Sequence, residues 1–565
     1  MYDYIVVGAG SAGCVLAARL TEDPDIKVLL LEAGPPDDAP ELHIPVTVAT
    51  LFKGPYDWNY TTTPQPAAAD RSVYWPRGRT LGGSSSTNAM IYIRGHRHDY
   101  DTWRDKYGCT GWGYDDLLPY FLRAEDQQRG ESADHGVDGP LRVEDLRYKH
   151  PLCRAWVDAA TAYGLPANND FNGGNGAEQD GVGFYQVTQR RGRRWSTADA
   201  YLRPALDRPN LTVETDALVT KIEIEGSAGG GGRATGVRYR RRGREERTAA
   251  TGEVIVSGGA VASPQLLMLS GIGPADHLRE LGIDVVLDAP EVGGGLQDHP
   301  TVAALWHAPS TKGLWEGINS RTFLLWQSLG RGPYASNAAE AGGFVRTVDG
   351  LPAPDLQYHV LATPYIDQGL TDPARRLFTV LITAVAVGSR GRITLRSADP
   401  RWKPAIDPGY LTDEADLEVL VAGVRQAREI SYAGKLAKLT AGEYAPGEQI
   451  DSDDALRAWV RRDVVTLYHP TSTCAMGGDG LGVCDPDLRV RGIEGLRVVD
   501  ASVLPAVPRG NTNAPTIAVA ERAADLIRGR TPLGPVSTAE APDASEAPDA
   551  SETRDASETR DAAEA

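Results

Sequence analysis

Near the start of the chain, Gly8-Ala9-Gly10-Ser11-Ala12-Gly13 limits the fold more than any other feature. The run follows an apolar stretch at 4–7 and opens a segment of helix-forming composition at 14–20; a second apolar stretch follows at 27–31. That order predicts a strand–helix–strand unit of a parallel α/β sheet. In such a unit the first glycine permits the tight turn and the second lets the backbone approach a pyrophosphate. The third lets the helix pack on the strand. The helix N-terminus adds N–H groups and a partial positive charge that suit an anion. Glu32, followed by Ala33, ends the second strand nineteen residues after Gly13. A carboxylate there can accept hydrogen bonds from ribose hydroxyls and would repel a 2′-phosphate. The unit predicts a dinucleotide site and leaves flavin and nicotinamide both open.

At 565 residues, with 41% hydrophobic and 24% charged, the chain has the length and composition of a globular protein of several domains. Its formal net charge is −18, of which the last 33 residues supply −7 through nine acids and two arginines. An acidic body argues against nucleic acid, whose phosphates need clustered, uncompensated Lys and Arg. It argues only weakly against docking on an anionic membrane. The one basic run recognised, Arg238-Tyr239-Arg240-Arg241-Arg242-Gly243-Arg244, reads as a solvated hairpin because Glu245 and Glu246 follow it.

No window approaches 18 consecutive apolar residues, and the N-terminus lacks the pattern of a signal peptide. The five cysteines are scattered without a CxxC pair, so neither a disulfide framework nor a zinc site is expected. These features predict a reducing, cytoplasmic setting. The glycine-rich 226–232 reads as a flexible turn, and 533–565, with its six-residue Asp-Ala-Ser-Glu repeat, as a disordered acidic tail.

Four further blocks carry chemistry. Gly78 to Gly95 contains Arg79, Gly82-Gly83-Ser84-Ser85-Ser86-Thr87-Asn88 and Ala89-Met90-Ile91, small residues that let backbone lie against a flat or anionic ligand. Gly259 to Gly273 puts Pro264 near a helix start and Gly271 after its end. Tyr468-His469-Pro470 lies in a Gly/Pro-rich region. Val498-Val499-Asp500-Ala501-Ser502 and Gly510-Asn511-Thr512-Asn513-Ala514-Pro515-Thr516 lead into a last helix.

With these four blocks in order, the chain resembles the glucose–methanol–choline (GMC) family of FAD-dependent oxidoreductases over about residues 1–530. The branch it looks most like is that of the choline and alkanol dehydrogenases. The resemblance implies an α/β fold: a Rossmann-like FAD-binding domain interleaved with an α+β substrate-binding domain built on an antiparallel sheet. The expected boundaries are 1-150, 195-300 and 460-532 for the first domain, and 151-194 and 301-459 for the second. By motif, Gly8, Gly10, Ser11, Ala12, Gly13, Glu32 and Ala33 would hold the ADP half. Arg79, Gly83, Ser84, Asn88, Ala89, Met90 and Ile91 would line the flavin and ribityl chain. Val219 would meet the adenine side through its backbone; Asp500, Ala501, Asn513, Pro515 and Thr516 would close the flavin site. Thr87 stands where some family oxidases bear a flavin-linked histidine, so the FAD is expected to be non-covalent.

The implied activity is oxidation of a primary alcohol to the aldehyde, with His469 as base and Asn513 steadying the substrate oxygen. Imidazole, with an ordinary pKa near 6.5, suits a base at neutral pH. Electrons would return to oxygen, a quinone or a carrier protein. The alternative is a hydroxynitrile-lyase-type reaction on the same scaffold with redox-silent FAD. Of the remaining histidines, His96 and His98 read as a solvated loop, with no third metal ligand apparent, and His299 as structural, near the hinge between lobes. Trp306, Trp315, Trp326, Glu316 and Glu340 would be wanted by a cationic alcohol if they converged, although packing is the ordinary role of each Trp.

Overall fold

Ile5, Val6 and Val7, and all four residues of Val28–Leu31, are buried, as strands covered by helices on both faces must be. The computed structural model describes residues 1–226 and 232–534. The middle of the expected glycine-rich turn, and the tail beyond residue 534, lie outside the described residues.

In chain order the elements that frame the site are β1 (Tyr2–Val7), α1 (Ser11–Leu20), β2 (Val28–Leu31), β3 (Gly181–Phe184), β4 (Leu211–Glu214), β5 (Ala217–Glu225), β6 (Gly232–Arg241) and β7 (Arg244–Val256). Then come α2 (Gly259–Leu269), β8 (Pro300–His307), α3 (Ser320–Leu329), β9 (Ala339–Val345), β10 (Leu356–Leu361) and β11 (Leu377–Ala384). The last are α4 (Glu414–Ser431), β12 (Glu443–Ala445), β13 (Val465–Thr466), β14 (Ile493–Glu494), β15 (Leu496–Val498) and α5 (Asn513–Ile527).

The first sheet runs β4-β2-β1-β7-β6-β5, with β15 on β7 and β14 on β6. Its β4-β2-β1-β7-β15 part is parallel, while β5, β6 and β7 form an antiparallel meander. The second sheet, β12-β8-β11-β10-β9-β3 with β13 on β8, is antiparallel throughout. A parallel α/β sheet and an antiparallel one, each drawing strands from distant parts of the chain, give the mixed fold class expected from sequence. One boundary moves. Val465–Thr466, assigned to the first lobe, pairs with Pro300 and Thr301 of β8. The chain therefore leaves the edge of the second sheet immediately before Tyr468 and His469.

Helix α1 is short and buried on nearly every side, and α5 packs against it. The fully buried Glu521 of α5 accepts from Arg19 of α1 at 2.9 Å and from Tyr201 Oη at 2.7 Å, and pairs with Arg123 at 2.9 Å. A carboxylate away from water needs that many donors to remain charged.

Helix α2 begins five residues before Pro264, so the proline is interior and not at the start. Its missing N–H would leave the Ala260 carbonyl without a helical partner; Thr473 Oγ1 donates to that carbonyl at 2.7 Å. His96 is also reassigned. It is buried and caps the helix Arg97–Lys106, its Nδ1 accepting from His98 N at 3.0 Å while its own N–H donates to Asp99.

Candidate active site

The turn after β1 requires glycine twice. Gly8 has φ +100°, and a Cβ there would lie 2.5 Å from the Ser257 carbonyl oxygen; a Cβ on Gly13 would lie 1.9 Å from the Gly8 carbonyl oxygen. Gly10 differs: nothing comes within 4 Å of its would-be Cβ, so a side chain there would only fill the cavity beyond. Helix α1 starts at this open spot without a side-chain cap. Its first N–H groups and positive dipole end thus adjoin room for an anion.

The cavity encloses about 350 Å³ and runs from this turn between the two sheets. Gly8, Gly10, Ser11, Ala12, Glu32 and Ala33 line one end, with Val219 of β5 nearby. Both Glu32 carboxylate oxygens accept backbone N–H bonds, from Ala9 at 2.9 Å and Gly34 at 2.8 Å, and burial pushes its pKa up to about 7. Gly83, Ser84, Asn88, Ala89, Met90 and Ile91 line the middle. This second loop touches the first: a Cβ on Gly83 would lie 2.7 Å from Gly10 Cα. Arg194, which sequence reading passed over, holds the loop from behind, donating to Asn88 O at 2.6 Å and to Leu42 O at 2.8 Å.

Three residues expected at the cofactor lie off the cavity wall. Gly13 is spent on helix–strand packing, Pro515 is buried in the first turn of α5, and Arg79 turns outward, donating to Ala33 O at 3.0 Å and lying over the Trp58 ring. Asp500, Ala501 and Thr516 do line it. The Asp500 carboxylate joins its own turn to the start of α2, accepting from Ser502 N at 2.7 Å, Gly259 N at 2.8 Å and Ser263 Oγ at 2.5 Å.

At the far end, backbone geometry aims His469 inward. Tyr468 has φ +74°, a left-handed conformation unusual for a non-glycine residue. Bonds on both sides hold it: Arg77 donates to Tyr468 O at 2.6 Å, and His469 N donates to Asp298 Oδ1 at 2.7 Å. Asp298 also accepts from the Tyr410 hydroxyl, and Tyr410 in turn accepts from Trp75 Nε1 at 3.0 Å.

The amide next to the His469 ring belongs to Asn511, whose Nδ2 is 3.2 Å from Nε2. Asn513, expected in that place, is two residues further on, inside the first turn of α5. There its Oδ1 accepts from Ser11 Oγ at 2.7 Å and ties the N-termini of α1 and α5 together. It lines the cavity but does not meet His469.

Sequence reading also missed the other neighbours. His299, the residue before β8, has Nδ1 2.9 Å from His469 Nδ1, with the rings edge to face. His359, on β10, lines the cavity with neither ring nitrogen bonded to protein. Burial holds His299 and His359 neutral, their pKa lowered to about 3. Burial, His299, His359 and Arg77 together hold His469 well below the ordinary imidazole range.

The wall around His469 is apolar. Leu361, Leu381 and Leu467 pack on the inner face of the second sheet beside Tyr365. Phe52 stacks near Tyr468, ring centroids 5.7 Å apart. The carboxylates that line the cavity are Glu32, Asp57 and Asp500, and each accepts hydrogen bonds from protein donors. The residues a cationic alcohol would want do not converge. Trp306 and Trp326 are buried away from the cavity, Glu316 pairs with Arg376, and Glu340 accepts from Ser336 Oγ at 2.6 Å; Trp315 alone of the five reaches the wall.

Residues 2–301 and 387–520 match family models described as GMC oxidoreductase. The chain is 45% identical over 542 residues to alcohol dehydrogenase [acceptor] of Pseudomonas putida, covering 93% of this chain and 96% of that one. It is 44% identical to human mitochondrial choline dehydrogenase, covering 94% and 90%. Among solved structures, pyridoxine 4-oxidase from Mesorbium loti superposes with TM-score 0.85 at 33% identity, covering 94% of this chain and 100% of that one.

Proposed function

The chain belongs to the GMC oxidoreductase family, FAD-dependent enzymes acting on CH–OH donors, and on that premise we propose that it oxidises a neutral, largely apolar primary alcohol to the aldehyde. The residues fit the cofactor. The bare Gly10 backbone and uncapped α1 N-terminus suit its pyrophosphate, Glu32 and Val219 its adenosine, and the loop from Gly83 to Ile91 with Ala501 and Thr516 its ring system. When bound, FAD supplies the hydride acceptor.

One observation carries the catalytic assignment: the bonding pattern of the His469 ring. The Asn511 amide nitrogen donates to Nε2, which therefore bears the lone pair; Nδ1 bears the proton and donates to His299 Nδ1. His469 thus presents a neutral, unprotonated Nε2 on the cavity wall. The substrate hydroxyl proton goes to that nitrogen as the carbinol hydride departs. The Asn511 N–H, next to the same point, can turn to the oxygen as negative charge develops there. His359, its nitrogens unclaimed by protein, offers a second polar contact from β10.

Among the described residues no free carboxylate lines the cavity near His469, which favours a neutral substrate over a quaternary ammonium alcohol. The test is anaerobic mixing with a panel of straight-chain alcohols and choline, for the parent and His469→Ala. The parent is expected to bleach its flavin fastest with an apolar alcohol, and His469→Ala to keep its FAD but lose most of that reduction. Reduction at the parental rate in His469→Ala would sink the base assignment, and choline as best substrate would overturn the substrate class. Turnover with an unchanged flavin spectrum would mark a lyase.

A further inference from the structure

We propose that α3 and the arginines around it form a docking surface for an anionic lipid bilayer. Helix α3 buries only Trp326 fully; Leu324, Leu325 and Leu329 are 63%, 40% and 59% exposed. Positions 321, 324, 325, 328 and 329 share one side of a helix, so the three leucines project together with Arg321 at the helix start. Phe323 and Trp326 face the protein, each stacking on Tyr334. Among the described residues nothing covers the exposed side of Leu324 and Leu329.

A basic rim surrounds it. The hairpin of Gln189–Arg190 and Arg193–Arg194 lies on α3: Trp326 Nε1 donates to Gly192 O at 2.7 Å, and the Arg193 guanidinium lies 4.6 Å above the Trp326 ring. Arg331 follows the helix end. Arg190, Arg191, Arg193, Arg321 and Arg331 are exposed, and among the described residues none has a carboxylate within ion-pair distance. The two segments, 186–196 and 317–333, hold six arginines and no acid in a chain whose net charge is −18. This corrects the reading of Arg238–Arg244 as the one basic run. Two arginines of that run are paired, Arg238 with Glu223 and Arg241 with Glu214, and Glu245 and Glu246 follow it, whereas 186–196 holds no acid at all.

Exposed leucines inside a ring of unpaired arginines are the surface chemistry of an interfacial helix on negatively charged lipid headgroups. Among the described residues no helix is long and apolar enough to cross a membrane, so the attachment is peripheral. Trp315, 40% exposed, adjoins the same surface and lines the cavity. Docking would bring an edge of the active site to the bilayer, where apolar alcohols and lipid-soluble electron acceptors partition.

The test is flotation of the FAD-loaded full chain with phosphatidylcholine vesicles, with and without about one-third phosphatidylglycerol as anionic lipid. The chain should float with the anionic vesicles, stay behind with the neutral ones, and be released by salt. Leu324→Asp/Leu325→Asp/Leu329→Asp and Arg190→Glu/Arg191→Glu/Arg193→Glu should each lose most of the floated fraction, with FAD content and Tm near parental. Val348→Asp, an equally exposed position elsewhere, should float like the parent. A parent that does not float, or a leucine variant that floats as well as it, overturns the proposal. So does a dimer in solution that the leucine variant converts to monomer, because the face would then be a self-interface.

Discussion

Replacing Asn511 with Ala removes the one side-chain donor next to His469 Nε2, 3.2 Å away and only partly exposed. Loss of a preorganised donor aimed at a developing oxyanion costs roughly 10²–10³ in rate, about 3–4 kcal/mol of barrier. Asn513→Ala removes a different bond, from Ser11 Oγ at 2.7 Å, that joins two helix N-termini. A neutral hydrogen bond of that kind contributes about 1 kcal/mol, so FAD affinity should fall roughly three- to tenfold while the reduction rate of loaded enzyme hardly moves. The assay is flavin bleaching after rapid anaerobic mixing with saturating alcohol, with bound FAD measured from its absorbance. Ser11→Ala combined with Asn513→Ala should cost little more than either alone, since both break one bond. If Asn511→Ala reduces flavin at the parental rate while Asn513→Ala is slow, the pairing of Asn511 with His469 is wrong.

Other expectations follow from the same geometry. Gly83→Ala would put a Cβ 2.7 Å from Gly10 Cα at φ +52°, forcing the two loops apart, and should yield protein with a markedly lower flavin-to-protein absorbance ratio. Because His469 is held well below 6.5 and the base must be neutral, flavin reduction should stay flat as pH falls from neutral through 6.5; an acid limb centred at 6.5 would contradict the burial argument. His299→Phe removes the acceptor that holds the Nδ1–H of His469, 2.9 Å away, so the rate of flavin reduction should fall. An unchanged rate in that variant would show that His299 only packs.

The α1 start was legible because glycines in a strand–turn–helix register state their chemistry within a few residues. The second loop and His469 were singled out only by resemblance to a family, because a run of small residues or a histidine before proline commits to no chemistry by itself. The mixed fold class was legible through the same resemblance, together with the order of the motifs. What the local code could not state was which groups meet across long sequence separations. His299 lies 170 residues from His469, and nothing in Gln297-Asp298-His299-Pro300 announces that β8 begins beside the strand leading to Tyr468.

The choice between Asn511 and Asn513 turned on where α5 begins. Asn511 lies in the loop before the helix and its amide meets His469, whereas Asn513 is the first helical residue and its amide meets Ser11. Net charge misled in a similar way, because a sum over the chain cannot separate arginines paired across a hairpin from arginines left in the open around α3. Motif set the parallel sheet and a dinucleotide site, and resemblance to the family set the cofactor class; packing decided which amide lies beside His469, which histidines surround it and where the uncompensated charge lies. The reason is physical. Hydrogen bonds and ion pairs act over a few ångströms, and only the folded chain brings distant residues that close.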